Sequence, residues 1–177
     1  MRRHLAFWFL VAVTLAVYGV MMAWSIPVLT EDAGGLTVFD LRPGGYSYDE
    51  ARAFLRALSP EGVDFYESVQ HRLDTAYPAL LALTLGWSML RLSPKSWGPF
   101  GYLLAATALP GMIFDYWENR DVSAMLASGP DGITPQMVSA ASWHSQAKAA
   151  SSTVAMILLL GLVVLWAIRR LRMRGTT

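Results

Sequence analysis

Six residues able to exchange protons or hold a charged group stand at the edges of apolar stretches: Asp74, Asp115, Glu118, Asn119, His144 and Lys148. Asp115, Glu118 and Asn119 are spaced i, i+3 and i+4, which sets them on one helix face. Lys148 is the only lysine or arginine between Arg120 and Arg169, and His144 stands one turn before it. Charges beside hydrocarbon are costly unless they pair or face a wet cavity. The spacing therefore predicts a cluster in which Lys148 pairs with Asp115 or Glu118, with Asp74 and His144 nearby. Such a cluster has two readings: an ion pair that locks helices together, or a site that handles a substrate or ion.

The chemistry available is narrow. Without cysteine there is no disulfide, no thiolate nucleophile and no cysteine-bound zinc. Glycine-rich phosphate loops, His-Glu-x-x-His and Gly-x-Ser-x-Gly are missing. Ser25 and Ser123 have no evident neighbouring base. Glu67, His71 and Asp74 have a spacing that permits metal ligation on one helix face, but the stripe Asp64, Glu67, His71, Asp74 lies opposite an apolar side and reads as a solvated face. Neither a metal nor a cofactor is expected.

The elements that position these residues follow from hydropathy. The chain is 54% hydrophobic and 15% charged, well below the ~25% charge of an ordinary soluble domain. The pattern predicts an all-α membrane protein: a single bundle of four transmembrane helices, about 5–27, 75–92, 99–118 and 147–168, with helices extended on the outer side. Each apolar run is long enough, or nearly so, for the ~20 residues that cross a bilayer. Segments 30–74 and 119–146 would lie outside the cytoplasm.

Within the first of these segments, Leu36 to Leu41 alternates and suits an extended piece. Ser47-Tyr48-Asp49-Glu50 is a capping box, opening a short amphipathic helix to about Leu58. Ser59-Pro60 opens a helix running to Leu92, with a bend expected at Pro78, which cannot donate to the Asp74 carbonyl. Pro110-Gly111 predicts a second kink. Thr134-Pro135 opens a helix that can run to about Met173. Trp24, Tyr77, Trp97, Tyr102, Tyr116, Trp117, Trp143 and Trp166 fall near span ends and read as an interfacial aromatic belt.

Charge sets the expected orientation. All 13 acids lie between Glu31 and Asp131. Arg2, Arg3, Arg91, Lys95, Arg169, Arg170, Arg172 and Arg174 would share one side with no acid, so that side and both termini should be cytoplasmic, in a multi-pass protein of the inner (plasma) membrane. The basic tail directly follows an apolar helix, which points to the membrane surface rather than nucleic acid. Asp74 lies 17 residues before Arg91, about 25 Å of helix; Asp115 and Lys148 reach a comparable level from their own basic ends, near the outer edge of the hydrocarbon.

Three pieces carry a resemblance: Gly45-Tyr46-Ser47-x-x-Glu50-Ala51, Asp74-x-x-Tyr77-Pro78 and Asp115-x-x-Glu118-Asn119. Together they resemble an uncharacterised group of small bacterial four-helix integral membrane proteins, which implies no activity. The layout also resembles claudins and tetraspanins in topology alone, since the claudin cysteines and Trp-Gly-Leu-Trp type signature are missing. Function is first expected to be that of a non-catalytic subunit, scaffold or assembly partner, with the lipid bilayer, a protein partner or another copy as its contacts. The alternative is a membrane enzyme acting on a lipid or apolar metabolite at the outer leaflet. A small oligomeric transporter ranks third, because only Thr14, Thr84, Ser88 and Thr107 offer polar groups deeper in the spans. An open cavity at Asp115 would favour the enzyme, a sealed pair the scaffold.

Overall fold

A computed structural model of the chain describes residues 2–174, and every regular element among them is helical. In order these are α1 (Arg2–Asp32), α2 (Tyr48–Ala57), α3 (residues 60–92), α4 (Phe100–Ala106), α5 (Leu109–Gly132) and α6 (Pro135–Arg174). Two of them, α1 and α6, are long and apolar enough to cross a membrane.

Local chemistry accounts for the helix starts. Ser47 and Glu50 form the reciprocal capping box of α2: the Glu50 amide donates to Ser47 Oγ at 3.2 Å, and the Ser47 amide donates to Glu50 Oε2 at 2.7 Å. Those bonds hold the Glu50 carboxyl below its usual range. Ser59 caps α3 by accepting from the Gly62 amide at 3.0 Å. It also fastens α3 to the end of α1, donating through Oγ and its amide to Asp32 at 2.6 and 2.9 Å. Thr134 caps α6 by accepting from Met137.

Three departures from the sequence reading have physical causes. Leu36 to Leu41 is not a strand: Val38 is extended, but Phe39–Leu41 closes a 3-10 turn that buries Phe39 completely against Phe54 and Tyr46. The break near Pro110 falls before the proline, at Thr107-Ala108, because proline fits the first turn of a new helix. α1 and α3 each contain one π turn, Met21–Ser25 and Tyr66–Gln70. A π turn inserts a residue and rotates everything after it. This corrects the solvated-stripe reading: Asp64 and Glu67 are exposed, but Asp74 is turned inward at 4% exposure. The buried line of α3 runs Gly62, Tyr66, Gln70, Asp74, Pro78, Ala82, in steps of four.

The core has two parts. A capping core joins Leu29, Val38, Phe39, Phe54, Leu58 and Tyr66 to Val122, Met125 and Val138. A leaner one, Ala82, Leu85, Met89, Ala108, Ala155 and Leu162, joins the apolar halves of α3 and α6 to the break between α4 and α5. α5 and α6 pack most extensively on each other. They cross closely at Gly111, where a Cβ would stand 2.5 Å from Ser152 Oγ.

Candidate functional site

The site forms where α3, α5 and α6 meet the underside of the capping core. α5 contributes Asp115, Glu118 and Asn119 from one buried face. Glu118 has no exposure; it is ion-paired to Lys148 Nζ and accepts from Ser145 Oγ. Lys148 Nζ also reaches Asp115 Oδ1 at 3.5 Å. The expected pairing of Lys148 with an α5 carboxylate is met with both acids at once.

Asn119 has a separate task. Pro78 lacks an amide hydrogen, so the Asp74 carbonyl loses its helical donor. Asn119 Nδ2 supplies one at 3.0 Å. One residue on, the Tyr116 hydroxyl donates to the Thr75 carbonyl at 3.1 Å. α5 thus fastens α3 where proline weakened it, and this places the Asp74 side chain beside Asp115 and Lys148.

His144 stands apart from the expected cluster. Its Nδ1 lies 2.7 Å from Asp121 Oδ2, and its ring packs among Phe114, Trp117 and Trp143. Lys148 already has two carboxylates, and Asp121 gives the imidazole a partner of its own. His71 also lies elsewhere, with Nδ1 3.4 Å from Ser123 Oγ. No group of three or more metal-ligating side chains forms among the described residues.

Sequence reasoning missed Asp40. It sits in the 3-10 turn anchored by Phe39, and Oδ2 accepts from the Tyr66 hydroxyl at 3.0 Å and Gln70 Nε2 at 3.1 Å. Burial, then the Asp40 charge, holds the Tyr66 phenol well above its usual range, so it stays a donor. Gln70 Oε1 in turn accepts from Ser25 Oγ at 2.7 Å. Ser25 and Gln70 are both wholly buried and each ends a π turn, so the two irregular turns face each other and present this chain to Asp40. The one sequence signal was Gln70, an amide on an otherwise apolar helix face.

Four of the charged groups, Asp40, Asp74, Asp115 and Lys148, border a half-open cavity of about 210 Å³. Met21, Ile26, Leu81 and Met156 are among its apolar walls. Tyr18, Met22 and Met156, exposed on α1 and α6, stand at its rim. The Asp40 Oδ1 atom is buried without a hydrogen-bond partner. The Asp74 carboxylate accepts no hydrogen bond among the described residues, although its carbonyl does. The cavity lining therefore combines several acceptors with apolar side chains. No family model, curated protein or solved structure matches the chain.

Proposed function

We propose that this is a multi-pass membrane protein that holds the polar head of an amphipathic small molecule in a cavity at the outer edge of the bilayer. The observation that carries the reading is the cavity, lined by Asp40, Asp74, Asp115 and Lys148 together with methionine and aliphatic side chains. Ligand sites combine apolar walls with a few converging polar groups in this way. The open space beside Asp115 favours a lipid or apolar metabolite as the molecule handled.

Four crossings are the topology this function needs, with both termini and residues 93–98 in the cytoplasm of a cell whose inner membrane holds the protein. α1 and α6 supply the two long apolar helices. Support for the middle pair comes from exposed apolar side chains: Leu83 and Leu90 on α3, Tyr102 and Leu103 on α4, and Leu109 and Ile113 on α5. Apolar surface this extensive is stable facing lipid and unstable facing water. Eight of the fourteen lysines and arginines, and no acid, fall in residues 2–3, 91–95 and 169–174, at the helix ends remote in sequence from α2. Since the chain has no cysteine, one introduced at Thr37 or Ser96 is a unique reporter. In intact spheroplasts an impermeant maleimide should label Thr37→Cys and not Ser96→Cys; the reverse pattern refutes the orientation.

The ligand reading is tested by native mass spectrometry of protein extracted with its own lipids. An amphiphile should accompany the wild type and be lost from Ala149→Phe, which fills the cavity. The sealed Lys148–Glu118 pair favours a second reading, a non-catalytic subunit or scaffold. In that case a protein partner copurifies equally with wild type and Ala149→Phe, and no amphiphile is displaced.

A further inference from the structure

The charges around the cavity do not balance, and the imbalance specifies a ligand class. Asp40, Asp74 and Asp115 line it, and Glu118 stands behind it. Among the described residues Lys148 is the one lysine or arginine lining the cavity, and its ammonium is already occupied by Glu118 and Asp115. Arg42, the next base along the chain from Asp40, is turned away: its Nε donates to the Thr37 carbonyl at 2.9 Å and its guanidinium lies over Phe39 and Tyr46.

Acceptors are left over at two residues, of which Asp40 Oδ1 alone is a wholly buried atom. The Asp74 carboxylate belongs to a residue 4% exposed, accepts no hydrogen bond among the described residues and borders the cavity. Asp40 Oδ1 is buried and unpartnered, while Tyr66 and Gln70 hold Oδ2 so that the group cannot turn away. Buried acceptors without donors are costly and rare, and they mark where a donor belongs. A group with several N–H donors and a positive charge suits a site where acidic side chains outnumber basic ones. Most of the other lining side chains are apolar, and Met22 and Met156 among them are exposed on α1 and α6.

Resting on the ligand reading above, we propose that the cavity selects an amphipathic amine, its ammonium held between Asp74 and Asp40 and its alkyl chain leaving past Met22 and Met156. At about 210 Å³ the cavity is smaller than the ~300–1,000 Å³ pockets that enclose whole drug-sized ligands. It therefore encloses the head and first carbons, and the rest of the chain remains in the bilayer. An anionic head is disfavoured by the surplus of carboxylates, and a neutral alcohol satisfies at most one acceptor as a donor.

The test is calorimetric titration of the full chain in lipid nanodiscs, with heats from empty nanodiscs subtracted, using octylamine, octanol and octanoate. Octylamine should bind saturably and at least about tenfold more tightly than the other two, since an ion pair at ~4 Å in a partly shielded site exceeds the ~1.4 kcal/mol that a factor of ten requires. Asp74→Asn should lower octylamine affinity at least about tenfold and leave octanol binding unchanged. Asp40→Asn, which keeps an acceptor for Tyr66 and Gln70, is the second variant should Asp74→Asn fold poorly. Octanol binding as tightly as octylamine, with both lost in Ala149→Phe, overturns the amine and leaves the ligand site standing. Failure of all three to bind overturns both.

Discussion

Asn119 illustrates how one side chain can replace a missing backbone donor. Its amide satisfies the Asp74 carbonyl only because Pro78 leaves that carbonyl free. Removing it strands a buried acceptor, so Asn119→Ala should destabilise the protein by about 1–3 kcal/mol in thermal unfolding. Pro78→Ala returns an amide to α3, and in that background Asn119→Ala should cost less than half as much. An unchanged cost in the double variant would show that Asn119 acts elsewhere. Lys148 is the other single residue on which the site depends. Lys148→Met leaves Glu118 and Asp115 buried without a cation, which should cost about 3–5 kcal/mol, and adding Glu118→Gln should recover part of it. The second effect belongs to chemistry that could be read in advance from Asp115, Glu118 and Lys148; of the first, Pro78 marks the free Asp74 carbonyl but not Asn119 as its donor. Asp40 could not be foreseen, because its donors Tyr66 and Gln70 lie 26 and 30 residues away and nothing local marks the pairing.

At the scale of elements, the legible features were those set by neighbouring residues. The Ser47–Glu50 box, Ser59-Pro60 and Thr134-Pro135 mark starts at Tyr48, Pro60 and Pro135 because a cap and its amides are within three residues of each other. The π turns were not legible, since no residue type commands them; they arise where Ser25 and Gln70 meet between helices. Misjudging them sent Asp74 to the wrong face of α3. Where α1 ends against α3, Gly62 leaves room that any other residue would fill: a Cβ there would stand 1.9 Å from the Asp32 oxygen that accepts from the Ser59 amide. Gly62→Ala should therefore cost about 1–3 kcal/mol, with Gly62→Ala/Asp32→Ala losing less than the sum of the single changes. α2 is tied to the last turn of α5 by Asp131, which accepts from Arg52 at 2.6 Å and Arg56 at 2.9 Å. Those hydrogen bonds, Arg52 first, hold the Asp131 carboxyl below its ordinary 3.8. Because the folded value is depressed, the tie is fully present above 3.8 and is lost as pH falls through the folded value. Hydrogen exchange in residues 48–57 should be flat from pH 5 to 8, after correction for intrinsic rates, and rise only in stronger acid; in Asp131→Asn that acid-dependent rise should disappear.

The molecule as a whole separates its rigid packing from its apolar surface. Most of its buried large side chains lie in the capping core, whereas α1, α4 and α6 keep Leu5, Phe9, Tyr102, Leu103, Ile157 and Leu160 exposed along their apolar lengths. α1 and α6 are long and apolar enough to cross a membrane; on the multi-pass reading proposed above, lipid covers the apolar lengths and the cap must hold itself together. The cavity lies on the seam. Asp40 in its lining is positioned by the cap, through the adjacent Phe39, and its walls come from the apolar helices. Phe39→Ala should remove the largest support of the 3-10 turn, costing about 3–5 kcal/mol. It should also speed hydrogen exchange across residues 36–58 and release any amphiphile held at Asp40. Leu162→Ala, in the leaner core, should lower overall stability while leaving exchange in residues 36–58 and retention of the amphiphile as in wild type. If both substitutions released the amphiphile equally, the cap would have no special hold on the site, and the cavity would depend on the bundle alone.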